Sequence, residues 1–84
     1  MKIWVAVVSH RHGQNVYAAK TEERLVRELY SYVEQWWESE IPNEAFPANL
    51  SGKETVDLYF ERVGHEFLEA LEETTLLGKE KSGD

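Results

Sequence analysis

Three histidines and one glutamate are the residues of this chain whose types suggest metal chemistry. His10 and His12 lie two positions apart, so on a β-strand both side chains point to the same side. His65 and Glu66 would join them if a later strand lies alongside. A transition-metal site needs three or four converging ligands, and the chain has no HExxH spacing on a helix. Histidines beside a glycine-containing turn are usually solvated, so we predict no metal and no cofactor.

A hydrolytic site is the second chemistry that the residue types suggest. Ser9 beside His10, with an acid such as Asp57, has the composition of a nucleophile, a base and an orienting carboxylate. Adjacent residues of a strand point to opposite faces, so the serine and the histidine would not face each other. Since a catalytic triad is defined by mutual geometry, we predict that the protein is not an enzyme.

The charge is divided unevenly along the chain. The first 21 residues contain Lys2, Arg11 and Lys20 but no acid, so all 16 acids of a chain with formal net charge −7 follow them. Phosphate-backbone binding requires clustered lysines and arginines, so we expect no nucleic-acid partner. The alternative function is a nucleic-acid-associated module that uses the basic N-terminal hairpin together with Arg24 and Arg27.

The N-terminal segment predicts a β-hairpin. Residues 2–10 contain an apolar run, Ile3 to Val8, with apolar side chains at every position, which is typical of a strand covered on both faces. Residues 11–15 contain Gly13 and favour a turn, and an antiparallel strand resumes at Val16.

Two helices follow. Thr21 is a suitable N-cap for a first helix that ends near Ser39 or Glu40, before Pro42. Ser51 and Glu54 form a capping-box pattern at the start of a second, shorter helix. We expect Phe46 to anchor the loop between the helices, and Gly64 to cap the second helix in a left-handed conformation.

Residues 65–77 fit both a helical face and a strand alternation, and we favour the strand because it would pair the free edge of strand one. The prediction is an α+β fold: a three-stranded antiparallel sheet, in the order strand-strand-helix-helix-strand, with two helices packed on one face. Residues 1–77 would form a single domain, and residues 78–84 a flexible tail.

One face of this sheet would lack a cover. If the helices cover Ile3, Val5 and Val7, the opposite side of the strand is free, and we expect a homodimer to bury it. Trp36 and Trp37 are neighbours on the first helix, and we favour the interpretation that both lie in the core or under the loop of residues 41–50. The alternative is that one of them, Trp37, is an exposed interface anchor. The predicted interaction residues are Trp4, Ala6, Val8, His10, Arg11, His12, Trp37, Glu34 and Glu38.

Several short segments resemble small uncharacterised proteins of bacteriophages, plasmids and other mobile elements. They are residues 9–13 (SHRHG), Val16 and Tyr17, residues 21–23 (TEE) and residues 32–37 (YVEQWW). The resemblance carries no activity and implies only a mobile-element setting, in which small acidic proteins often antagonise host defence or DNA-binding proteins.

The expected function is therefore that of a small acidic, non-enzymatic interaction domain whose carboxylates meet a basic partner protein. The chain has no cysteine, which fits a reducing compartment. Its apolar N-terminal run is too short for a membrane span and has no cleavage site after it. We therefore expect a cytoplasmic protein without a membrane partner.

Overall fold

A computed structural model describes residues 2–75. The order of elements is strand β1 (Lys2–His10), strand β2 (Gly13–Ala19), helix α1 (Glu22–Glu40), helix α2 (Gly52–Arg62) and strand β3 (Phe67–Thr75). This confirms the predicted α+β fold, including the strand in the ambiguous segment. Residues 78–84, for which we predicted a tail, lie outside the described residues, as do the last two positions of the predicted third strand.

Strand β1 is the central strand of the sheet, whose order is β2-β1-β3 with both neighbours antiparallel. In the hairpin, His10 pairs directly with Gly13. The turn is therefore shorter than predicted and consists of Arg11 and His12. Gly13 has φ of 134°, a backbone angle that L side chains rarely adopt, which explains why glycine stands here. A register shift between Val7 and Val8 marks a bulge in the pairing with β3.

Helix α1 begins and ends where the capping residues indicate. The Thr21 side chain accepts a hydrogen bond from the backbone N–H of Arg24 at 3.2 Å. Ile41 caps the other end, directly before Pro42, which cannot continue the helix. The buried stripe consists of Leu25, Leu29, Val33 and Trp37.

Helix α2 has the predicted capping box, in which Ser51 and Glu54 exchange side-chain and backbone hydrogen bonds. The prediction for its other end is wrong, because the C-cap residue Val63 is extended, with φ of −92° and ψ of 99°. Only residues 63–66 connect α2 to β3, so the chain must extend at once, and Gly64 does not adopt a positive φ. Phe46 is partly buried as expected and packs edge-on against Tyr30 and Trp37.

The helices cover the opposite side of β1 from the one assumed in the sequence analysis. Ala6 and Val8 have no exposed surface and belong to the hydrophobic core, and Trp4 packs against that core. These three residues are therefore not a free interface. The alternating residues Ile3 and Val5 lie on the other face of the sheet, which no element among residues 2–75 covers.

Over residues 2–75, neither helix has the length and hydropathy that a bilayer crossing requires.

Candidate functional site

The structure divides the predicted interaction residues among three places. Trp4, Ala6 and Val8 lie in or against the core. Glu34, Trp37 and Glu38 line an open groove beside the loop between the helices, and His10, Arg11 and His12 line a separate polar pocket.

The uncovered sheet face is an apolar surface that the sequence analysis assigned to the wrong residues. Val16 and Phe67 are its large exposed apolar residues, at 67% and 56% of their surface. Among the paired positions of this face, Glu72 is the charged residue. The apolar positions, assigned from strand pairing and alternation, are Ile3, Val5, Val7, Val16, Ala18, Phe67 and Ala70.

The area of the uncovered sheet face can be estimated from strand geometry. Strands about 4.8 Å apart, with a rise of about 3.3 Å per residue, give it an area on the order of 300 Å². The largest apolar patch on a typical monomer is about 300–600 Å² and is often functional, so this face lies at the lower end of that range.

The groove beside the loop between the helices has an apolar floor and an acidic rim. It encloses about 650 Å³ and includes Trp37, Ile41 and Phe46 together with the carboxylates of Glu34, Glu38 and Glu44. Glu44 is paired with Arg62 at 3.0 Å, which leaves Glu34 and Glu38 as the acids that give the rim its charge. None of the residues that line this groove within the described chain is basic.

The charges on the second half of α1 oppose helix stability. Glu34 and Glu38 lie four residues apart, where like charges repel. The last turn contains Glu38 and Glu40 and no basic residue, although the negative end of the helix dipole favours cations there. Each unfavourable arrangement costs about 0.3–1 kcal/mol. A cation supplied from outside would relieve both.

The polar pocket lies at the hairpin end, on the helix side of the sheet. It encloses about 320 Å³, and Tyr32, Trp36 and Glu40 line it at successive i, i+4 positions of α1. The Glu66 carboxylate is buried at its wall and accepts hydrogen bonds from the hydroxyls of Tyr32 at 2.8 Å and Tyr59 at 2.9 Å, both through Oε1. Burial, reinforced by these bonds to Glu66, raises the pKa of both tyrosines well above its ordinary value.

His65 contacts three residues that line this pocket. Its Nε2 lies 3.2 Å from Nη2 of Arg11, 3.1 Å from Oε1 of Glu40 and 4.0 Å from Oε2 of Glu66. One ligand atom from each of Glu40, His65 and Glu66 lies within 4.8 Å of the others. Together these three residues could bind a metal ion. His10 does not belong to this group, and its two ring nitrogens contact Asn15 at 3.3 Å and the backbone N–H of His12 at 3.2 Å.

His65 therefore approaches the hairpin at Arg11 and does not join His10 and His12 in a metal-ligand group. Glu40, Tyr32 and Tyr59 were missed. The sequence does contain a pattern that could have identified Tyr32 and Glu40. Tyr32, Trp36 and Glu40 form a stripe of i, i+4 spacing that runs beside the core stripe of α1, so these side chains must share a face.

Comparison of the chain with protein families, curated proteins and solved structures gave no match.

Proposed function

We propose that this protein is a small acidic interaction module that docks a basic segment of a partner protein in the groove beside Glu34 and Glu38. The observation that carries the proposal is the unbalanced charge of α1, where four acids follow Arg27 without a single basic residue up to Glu40. Because this arrangement lowers helix stability, a partner that supplies Lys or Arg gains binding energy by relieving it. The apolar groove floor favours a segment that also carries aliphatic side chains.

The partner class follows from the same chemistry. A row of carboxylates on a helix presents negative charge to a surface built to bind phosphate, so a basic nucleic-acid-binding or defence protein is the proposed target. In the mobile-element setting that the resemblance implies, the protein would act as an antagonist of such a host protein.

A substitution at Glu38 tests the proposal, because it should weaken peptide binding while it raises the free energy of unfolding. We expect Glu38→Lys to raise the free energy of unfolding by about 1 kcal/mol, because it gives Glu34 an oppositely charged neighbour four residues away and places a cation at the helix C-terminus. The variant should bind an amphipathic peptide of alternating leucines and lysines about 10-fold more weakly, a change of about 1.4 kcal/mol. Urea denaturation and calorimetric titration measure the two quantities.

Glu73→Lys is the matched control, because it makes the same charge change on β3, outside the groove. Equal losses of affinity in the two variants would show that the peptide follows net charge and would contradict the groove. Binding of duplex DNA in a gel-shift assay, weakening steeply with salt, would instead favour the nucleic-acid alternative.

We further propose that a second copy of the chain covers the uncovered sheet face. This face is apolar, with Glu72 as its charged residue. The helices and their acidic residues lie on the opposite side of the sheet. Two copies can therefore pack through this face without bringing their acidic helices together. The area of about 300 Å² per copy is below that of a standard interface, so we expect a weak dimer that forms at high concentration.

Sedimentation equilibrium tests this association. Lysine in place of both Val16 and Phe67 should yield a monomer at concentrations where the unaltered chain is dimeric, since a buried unpaired charge opposes association. Leu50→Lys is the control, because Leu50 is an exposed apolar residue, at 41%, in the loop between the helices. A monomeric unaltered protein at several hundred micromolar would contradict the dimer.

A further inference from the structure

The cluster of Glu40, His65 and Glu66 has properties that neither the docking groove nor the sheet face explains. Glu40 ends α1, while His65 and Glu66 immediately precede β3. The cluster therefore joins two elements that are far apart in the sequence, on the opposite side of the sheet from the uncovered face.

Glu66 is a buried residue whose second carboxylate oxygen reaches this cluster. The Glu66 side chain is 8% exposed, and its Oε1 accepts hydrogen bonds from both tyrosine hydroxyls. Its other oxygen, Oε2, accepts no hydrogen bond from residues 2–75, and it lies 4.0 Å from Nε2 of His65. A carboxylate fixed through one oxygen and free at the other is a preoriented ligand.

His65 Nε2 cannot satisfy both of its close neighbours. The Arg11 guanidinium can only donate to this nitrogen, whereas the Glu40 carboxylate can only accept from it. A single ring nitrogen either carries a proton or offers a lone pair, so one of the two contacts is always unsatisfied. A metal ion resolves the conflict, because the nitrogen and the carboxylate both bind it through lone pairs.

We propose that Glu40, His65 and Glu66 form a zinc site. Tetrahedral coordination with bonds of about 2.0–2.2 Å places neighbouring ligand atoms about 3.4 Å apart. The two separations from His65 Nε2, 3.1 Å to Glu40 and 4.0 Å to Glu66, bracket that distance, and all three ligand atoms lie within 4.8 Å of one another. An imidazole nitrogen with two carboxylates favours zinc over magnesium, which binds oxygen ligands. The two carboxylates balance the charge of the ion, and Arg11, an exposed residue of the hairpin turn, moves aside.

The three protein ligands leave one coordination position for water on the pocket side. Pocket residues in reach of that side include His12, Asn15 and Trp36. Zinc would thus connect the end of α1 to the start of β3.

Calorimetric titration of the full chain with zinc chloride tests the site. We expect saturable binding of one ion per chain, and no saturable heat with magnesium chloride. His65→Ala should weaken zinc binding by about 100-fold or more, because even the loss of an outer-shell partner costs about 10- to 100-fold. Glu40→Gln should weaken it as well, and both residues lie at the surface end of the cluster, so circular dichroism should show folded variants.

Two further variants distinguish a built site from adventitious binding to surface histidines. His12→Ala should leave zinc affinity within about 3-fold, whereas Arg11→Ala should increase it several-fold by removing a competing positive charge. Equal losses from His12→Ala and His65→Ala, or no saturable zinc heat, would overturn the proposal. Since the groove and the sheet face share no residue with this site, these results are independent of peptide binding and dimer formation.

Discussion

Replacing Trp37 with alanine should lower the free energy of unfolding by about 3–5 kcal/mol, the usual cost of truncating a large buried aromatic residue. Trp37 is 3% exposed, and its ring packs against Phe46 and Tyr59. Its indole N–H donates to the backbone carbonyl of Glu44 at 2.7 Å and so fastens the loop to the helix. In a small domain this loss is a large share of total stability, and urea denaturation would measure it.

Trp36→Ala is the matched control, because the neighbouring tryptophan is 40% exposed. We expect it to lower the free energy of unfolding by about 1 kcal/mol or less. The alternative in which Trp37 is the exposed anchor predicts the reverse order of effects, so the two variants distinguish it from burial of Trp37. A larger destabilisation from Trp36→Ala would contradict the packing described here.

At alkaline pH, the protein should lose stability steeply because of Tyr32 and Tyr59. Their pKa values are raised in the folded state, by burial first and by the contact with Glu66 second. Below pH about 10, folded and unfolded chains both keep these protons, and the stability is fully present. Above that pH, the unfolded chain releases protons that the folded chain retains, so the free energy of unfolding falls as pH rises, by up to about 1.4 kcal/mol per pH unit for each tyrosine.

Urea denaturation between pH 9 and 11 measures this slope. Tyr32→Phe and Tyr59→Phe should each reduce it, and the double variant should have the shallowest pH dependence of the four proteins. Lysines also titrate in this range but are common to all four, so they do not affect the comparison. Equal slopes in all four proteins would contradict the buried Glu66–tyrosine cluster.

The elements themselves could be predicted because each has a local physical cause. Gly13 makes the hairpin turn possible, Thr21 and Ser51 cap the two helices, and Pro42 ends the first of them. The spacing Leu25–Leu29–Val33 extends by four residues to Trp37, not to Trp36. This spacing predicts the burial of Trp37 and argues against its role as an exposed anchor.

Local patterns could not predict which face of the sheet the helices cover. Strand β1 is apolar on both alternating sides, so a period of two residues does not distinguish the side of Ala6 and Val8 from that of Val5 and Val7. The direction in which α1 leaves β2 decides it, and this depends on packing between distant elements. The polar pocket depends on packing too, since Glu40 and Glu66 are brought together only when β3 pairs with β1.

The most direct test of the proposed docking function is a nuclear magnetic resonance titration of the ¹⁵N-labelled chain with the leucine–lysine peptide. We predict that shift changes concentrate on the backbone amides of Glu34 and Glu38 and on the indole N–H of Trp37, and that an otherwise identical peptide with glutamate in place of lysine causes none. Shift changes confined to the uncovered sheet face, or equal responses to the basic and acidic peptides, would contradict the acidic groove as the docking surface.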